Sequence, residues 1–382
     1  MSARQAFIRG AGQTAFGRLD GRGPLDLMAD ASQLAVDNAG LRWRDIDGLL
    51  CGYATTLPHL MPATLLGERL GLRPACAHGM QAGGATGAAM VMLARDLVRG
   101  GRCRHVLAVA GENRLSGQER DSAIQTLAQV GHPVFEVPNG ASVPACYGLL
   151  ASEYMAATAS REEDLAELAV LMRRHAASHP QAHLRAPMRC EDVMASRPVA
   201  TPLKLLDCCP ISDGAVALVI SAEPHAQTGV RIAGAGQAHL HQHLTAMRDV
   251  LDCGAAQAAR RALDEAGLEP QAIDYLGIYD SFTITLAMLL EETGFAPRGR
   301  AGALAREGFF NASGTLPLNT HGGLLSFGHC GVAGGMAHVA EAWLQMSGHA
   351  GDRQIKPPRN AFIHADGGVM SSHVSLLLRR EG

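Results

Sequence analysis

The sequence predicts an α/β fold made of two duplicated βαβ halves, with an insertion on the first half. Three observations carry this. Ile8-Arg9-Gly10-Ala11-Gly12-Gln13 recurs as Ile232-Ala233-Gly234-Ala235-Gly236-Gln237, and Asp37–Tyr53 (DNAGLRWRDIDGLLCGY) aligns with Asp264–Asp280 (DEAGLEPQAIDYLGIYD). Self-similarity at so long a spacing means two homologous halves rather than a short-period solenoid. Each copy reads strand, helix, Asp-containing turn, strand. From about 113 to 200 the pattern changes to polar loops alternating with amphipathic helices, which marks the insertion. The halves are 1–225 and 226–382.

Taken in order, the first half gives a strand at Ala6–Gly10, a helix at Leu25–Ala39 and a strand at Gly48–Gly52. Gln81–Gly101 reads as a strand end, a small-residue turn and an apolar helix closing on Gly100-Gly101; His105–Gly111 continues the sheet. Within the insertion, Leu165, Leu168, Leu171 and Met172 recur at helical spacing over Arg161–Ala177. The second half gives Val230–Gly234, a helix at Val250–Ala266 and Tyr275–Tyr279. Ala361–Ala365 and His373–Leu378 close it as an antiparallel pair. Gly40 and Gly267 end the duplicated helices in Ala-Gly-Leu. The repeated βαβ order implies mostly parallel strands between helices. Pro297–His321 is irregular and long enough to be functional.

Composition bounds the function. The 382 residues are 47% apolar and 18% charged, enough for a substantial core, and the net charge of −3 without a basic run argues against nucleic acid. No apolar stretch reaches membrane-spanning length. MSARQAFIRGAG runs straight into a strand, so no secretory leader is expected. Nine scattered cysteines, odd in number and without CxxC, point to a reducing cytoplasm and away from disulfides or a metal site. Gly10-Ala11-Gly12 lacks the third glycine of a dinucleotide loop, and a duplicated turn explains it better.

Four motifs then stand out: Gly84-Ala85-Thr86-Gly87 with its helix to Gly101, Ala108–Glu112 (AVAGE), Ser212-Asp213-Gly214-Ala215, and Asn319-Thr320-His321-Gly322-Gly323 followed by Gly328-His329. Together they cover nearly the whole chain, which resembles the thiolase superfamily. The resemblance implies a five-layered αβαβα thiolase fold, an acyl-CoA thioester as substrate, no cofactor beyond coenzyme A, and a tight homodimer. His175-Ala176 with His179-Pro180, Asp207-Cys208-Cys209-Pro210 and Tyr279-Asp280-Ser281-Phe282 are similar to the sterol-carrier-protein-type, lipid-transfer branch. Proteins of that branch often work with a small OB-fold, zinc-ribbon partner.

The departures matter as much. Gly84 stands where the family has its nucleophilic cysteine. Ala365-Asp366-Gly367 replaces the C-terminal Cys-x-Gly, Tyr279 replaces a histidine, and Cys330 replaces the proline after His329. Cys76-Ala77-His78-Gly79 offers another register for the nucleophile. It fails on spacing: the family's distance to the helix-ending glycine fits Gly84 and Gly101, whereas from Cys76 it lands on Leu93.

The candidate catalytic residues are therefore His329, Tyr279, Asn319 and Cys330, with Gly84, Gly322, Gly323 and Gly367 against the substrate. His329 precedes an apolar helix, Val332–Met346, whose dipole favours an anion. Asn319 orients a water or donates directly. Tyr279 acts as base if its pKa is lowered or a relay serves it. Cys330, beside a histidine and a helix N-terminus, is a candidate replacement thiol. Tyr147 and Tyr154 read as core; His132, His183 and His321 as ordinary loop histidines; Glu112 and Asp280 as residues that hold loops. Phe327 stands where related aldolases carry a tyrosine. The favoured activity is C–C cleavage or formation at Cα without a cysteine acyl-enzyme, of retro-aldol type. Two alternatives stay open: an acyltransferase or 3-ketoacyl-CoA thiolase using Cys76, Cys330 or a partner's thiol, and a non-catalytic acyl-CoA-binding subunit.

Overall fold

The computed structural model describes residues 4–381, so Met1–Ala3 of the leader reading lie outside the described residues. The first half runs β1 (Phe7–Gln13), α1 (Pro24–Asn38), β2 (Gly48–Gly52), α2 (Pro62–Arg69), β3 (Cys76–Met80), α3 (Thr86–Arg99) and β4 (His105–Asn113). The insertion is a helical cap of α4 (Arg120–Ala128), α5 (Val143–Thr158), α6 (Glu162–Ala176) and α7 (Cys190–Ala195), with a small hairpin of β5 (Pro198–Ala200) and β6 (Leu203–Lys204). β7 (Asp213–Ser221) returns to the first half. The second half runs β8 (Gly229–Ala238), α8 (Ala255–Ala266), β9 (Tyr275–Ile278), α9 (Thr283–Glu292), α10 (Ala301–Arg306), α11 (Val332–Ser347), β10 (Asn360–Gly367) and β11 (Ser372–Glu381).

The main strands form one nine-stranded sheet in the order β3-β2-β4-β7-β1-β8-β11-β10-β9. The halves meet at β1 and β8, where Phe7 pairs with Arg231 and Ile8 with Val230. α3 and α11 pack against strands of both halves and form the central layer, while α1 and α2 cover the first half and α8 the second. This is the five-layered αβαβα arrangement. Trp343 on α11 ties the layers together by donating its indole N–H to the Ile8 carbonyl at 2.9 Å.

The repeated Gly-x-Gly now has a physical reason. A Cβ at Gly10 would come within 2.6 Å of the Ala35 carbonyl, and at Gly12, Gly234 and Gly236 it would strike the backbone of α1 or α8 just as closely. Each pair of glycines seats a helix directly on its strand, which accounts for the motif without any phosphate.

Three expectations are corrected. The sheet is mixed rather than mostly parallel: β2–β3, β2–β4 and β9–β10 are parallel, but β7, β1, β8 and β11 pair antiparallel. β10 and β11 join through a tight turn at Gly368, which only antiparallel pairing allows. The Ser212–Ala215 motif, a turn by the family resemblance, is here the entry to β7. Finally, α8 starts at Ala255, not Val250, because Gly254 sits at φ +101° and breaks the helical path. Glu292 of α9 caps it instead, accepting N–H bonds from Cys253 (3.2 Å), Gly254 (2.9 Å) and Ala256 (3.3 Å). Glu292→Ala strands these donors, and we expect it to lower unfolding free energy by about 1–3 kcal/mol in urea titrations.

Candidate functional site

The site begins at the turn between β3 and α3. Thr86 locks that turn: its hydroxyl accepts the Ala82 N–H at 2.7 Å and donates to the Gly83 carbonyl at 2.6 Å. Gly83 takes φ +59°, which glycine adopts freely. At Gly84, an added Cβ would lie 2.6 Å from Cζ of Tyr279, and closer still to its hydroxyl and to the Asp366 carbonyl. Tyr279 thus fills the space that a side chain at 84 would need.

Tyr279 follows β9 directly, and its N–H donates to the His364 carbonyl at 2.9 Å. Asn319 fixes the preceding residue. It accepts the Ile278 N–H at 2.8 Å and donates to the Ile278 carbonyl at 2.7 Å, from a backbone at φ +44°. Both ends of its amide are engaged by Ile278, so it positions the end of β9, and one N–H of the amide stays unassigned.

His329 is gripped by its own backbone. Its N–H donates to Pro210 (3.1 Å) and its carbonyl accepts from Ser212 (3.0 Å). This is the structural use of the motif at 212–215, since Asp213 beside it accepts from Leu19, Leu115 and Ser116. The ring Nδ1 accepts the Gly331 N–H at 3.3 Å, which assigns the proton of the neutral imidazole to Nε2. Nε2 lies 3.0 Å from the Tyr279 hydroxyl oxygen. In this assignment His329 donates to Tyr279, and the phenol proton is free for another acceptor. Burial, then the Arg114 charge, holds His329 down to about 3, so it is neutral at pH 7. Burial, then Asp366, pushes the Tyr279 phenol up. The lowered pKa that a tyrosine base needs is not found, and Tyr279 rests as a hydrogen-bond donor.

Sequence reasoning missed three neighbours. Asp366 on β10 is fully buried. Its Oδ2 accepts from the Tyr147 hydroxyl at 3.0 Å, and its Oδ1 has no partner. Burial pushes this carboxyl well above the usual range. Tyr147 comes from cap helix α5 and stacks on Phe282 with ring centroids 4.4 Å apart, so it is more than core filling. A lone acid in the apolar run Phe362-Ile363-His364-Ala365-Asp366 was the available signal for this pair. Arg114, just past β4, is also buried and gave no signal of its own.

The remaining candidates separate clearly. Cys330 is wholly buried, and burial, then Glu112, pushes its thiol well up, outweighing any helix-end effect; it is a poor nucleophile. Cys76 stands at the far end of edge strand β3, roughly 13 Å of strand before Met80 by rise per residue, with its sulfur 3.0 Å from His78 Nε2. A Cβ at Gly322 (φ +106°) would strike Ala176, and one at Gly323 (φ +59°) would strike Asp280. These two glycines wrap the chain around Asp280, which accepts from Leu324 (2.7 Å) and Leu325 (3.2 Å), and they offer a ligand no open floor. Gly367 lets β10 press on the Ala82 carbonyl beside Gly84. Glu112 holds Thr55 and Thr56, as expected of a loop anchor. His321 is buried rather than a surface loop residue. An open cleft of about 520 Å³ lined by Gln13, Asn38 and His179 contains none of the reactive groups, so chemistry and not volume locates the site. No group of three or more His, Cys, Asp or Glu among the described residues is arranged to hold a metal.

The chain is similar to several known proteins. Residues 236–380 match the family described as thiolase C-terminal domain-like. The chain is 30% identical to an acetyl-CoA acetyltransferase of Methanothermobacter thermautotrophicus, over 96% of this chain and 97% of that one. It is 32% identical to a steroid side-chain-cleaving aldolase of Thermomonospora curvata, over 97% of each. A solved Ltp2-ChsH2(DUF35) aldolase superposes with TM-score 0.85 at 29% identity, over 99% of this chain and 98% of that one.

Two outcomes test the packing and the charges. Gly84→Cys forces a side chain into Tyr279 and the Asp366 carbonyl, and we expect a loss of about 1–3 kcal/mol in urea unfolding, recovered only in part by adding Tyr279→Ala because the carbonyl stays. His175 and His179 are held at about 4 by burial and His329 at about 3, so across the range above these values the unfolded chain binds more protons. Their stability contribution is present above the ordinary value of about 6.5 and is lost as pH falls through it. Asp366 and Asp280, raised by burial, act in the opposite sense just above the ordinary carboxyl range. The urea midpoint should therefore fall most steeply between about pH 6.5 and 5, and His179→Gln should flatten that fall.

Proposed function

The chain belongs to the thiolase superfamily, among enzymes that act on acyl-CoA as acyltransferases or C–C lyases, and on that premise we propose that it is a retro-aldol lyase of a β-hydroxyacyl-CoA. One observation carries the reading: the Tyr279 hydroxyl occupies the space beside Gly84 where a thiolase would hold its nucleophilic side chain. A hydroxyl there hydrogen-bonds a thioester oxygen and forms no acyl-enzyme.

The steps balance without any redox partner. Asp366 takes the proton of the β-hydroxyl, and the Cα–Cβ bond breaks. The electron pair passes into the thioester as an enolate, and an aldehyde or ketone leaves. Tyr279, with His329 donating to its oxygen, stabilises the enolate oxygen. The proton on Asp366 then returns to Cα, giving the shortened acyl-CoA. The first step needs the ionised carboxylate, which burial makes a stronger base, and the proton it gains is the one returned to Cα. The aldolase names among the relatives support the same class.

An acyltransferase is the second reading, favoured by the acetyl-CoA acetyltransferase relative and by the Cys76–His78 contact. The geometry around Gly84 weighs against it. Partners follow the same premise. β3 is an edge strand with only β2 beside it, which suits a homodimer formed there. Val134 and Phe135 stand exposed on the cap and suit a second subunit, in line with an aldolase relative named for two components. An OB-fold, zinc-ribbon protein is the partner we propose. No helix among the described residues is long and apolar enough to cross a membrane, and the scattered free cysteines suit the cytoplasm.

A screen of β-hydroxyacyl-CoA esters, with carbonyl products followed by mass spectrometry, tests the activity. Tyr279→Phe should lower kcat by about 10²–10³ while leaving the unfolding midpoint close to wild type. Full rate in that variant removes Tyr279 from the chemistry. Acylation of Cys76 by acetyl-CoA in intact-mass spectra would favour the acyltransferase.

A further inference from the structure

Arg114 stands at the end of β4 with its side chain only 7% exposed. Nε and Nη2 have no hydrogen-bond partner. Its carboxylate neighbour, Oε2 of Glu112, is 3.9 Å from Nε, an ion pair without a hydrogen bond, while Thr55 and Thr56 bond the other oxygen, Oε1. A guanidinium is always charged, and burying it without full pairing is costly. A chain that keeps such a group leaves it for something that arrives.

Two details say what arrives. Nε and Nη2 form one edge of the guanidinium fork, the edge that grips both oxygens of a carboxylate in parallel bonds. The group also borders the site: Oε2 of Glu112, its ion-pair partner, would be struck by a Cβ at Gly331, whose N–H donates to His329 Nδ1, and its charge acts on His329, Tyr279, Tyr53, Cys209 and Cys330. An enolate oxygen offers one atom and would leave half of that edge empty.

We infer that Arg114 is a specificity residue that binds a carboxylate on the acyl group, so that the substrates are CoA esters carrying a free acid. This rests on the acyl-CoA reading of the site and not on the choice between lyase and acyltransferase.

Binding by calorimetry, without turnover, tests it. Succinyl-, glutaryl- and adipyl-CoA are compared with butyryl-, valeryl- and hexanoyl-CoA and with free CoA. At least one acid ester should bind about tenfold or more tighter than its methyl-ended match. Arg114→Gln should bring that ratio to within about twofold while methyl-ended esters keep their affinity, and Arg114→Lys should keep part of the preference. Equal affinity for matched esters in the wild type overturns the inference and leaves the acyl-CoA reading intact. So does a preference that survives Arg114→Gln. A variant that weakens free CoA and every ester alike assigns Arg114 to the coenzyme's phosphates, and overturns it too. No binding of any ester overturns both.

Discussion

The site depends on a steric exclusion. A side chain at 84 has no room beside the phenol of Tyr279 and the Asp366 carbonyl. Interiors pack at crystal density, so the change at one position is completed by the change at the other. Gly335 extends the same constraint, since a Cβ there would come within 2.8 Å of the Gly84 carbonyl. Three elements, the α3 turn, the end of β9 and the start of α11, therefore close around one small volume. Its chemistry is that of a hydroxyl and not of a thiol.

Around that volume, residues of the familiar motifs hold backbone rather than substrate. Asn319 clasps Ile278, Asp213 gathers three loop amides, Asp280 gathers two, and Gly322 and Gly323 give the chain room to do so. Groups left with spare hydrogen-bonding capacity include the Tyr279 proton, Asp366 Oδ1, the Arg114 edge, His338 Nδ1 and the His321 ring. In a buried region an unspent donor or acceptor carries a cost, which makes such groups informative.

Much of the fold was legible in the sequence because it is written twice. The Gly-x-Gly repeat marks two strands seated on helices, and the helix-ending Gly40 and Gly267 mark the same stop. The mixed direction of the sheet was not legible, since periodicity shows that β7 is a strand without showing which neighbour it joins. At the site, Tyr279 and His329 were readable from their motif positions, and the structure brings them to 3.0 Å. Asp366 and Tyr147 lie far apart in sequence, so only folding reveals their contact. Arg114 was invisible for another reason: an arginine after a strand is ordinarily solvated, and only its burial makes it unusual.

The bond from Tyr147 to Asp366 crosses from the cap to the second half of the molecule. It is the side-chain bond that this acid makes among the described residues, and it helps set how firmly the proton is kept. The acidity of Asp366 is therefore partly a property of where a separate helix rests. Proton affinity at this carboxyl is thus coupled to the seat of α5, a thermodynamic handle that lies outside the space around Gly84.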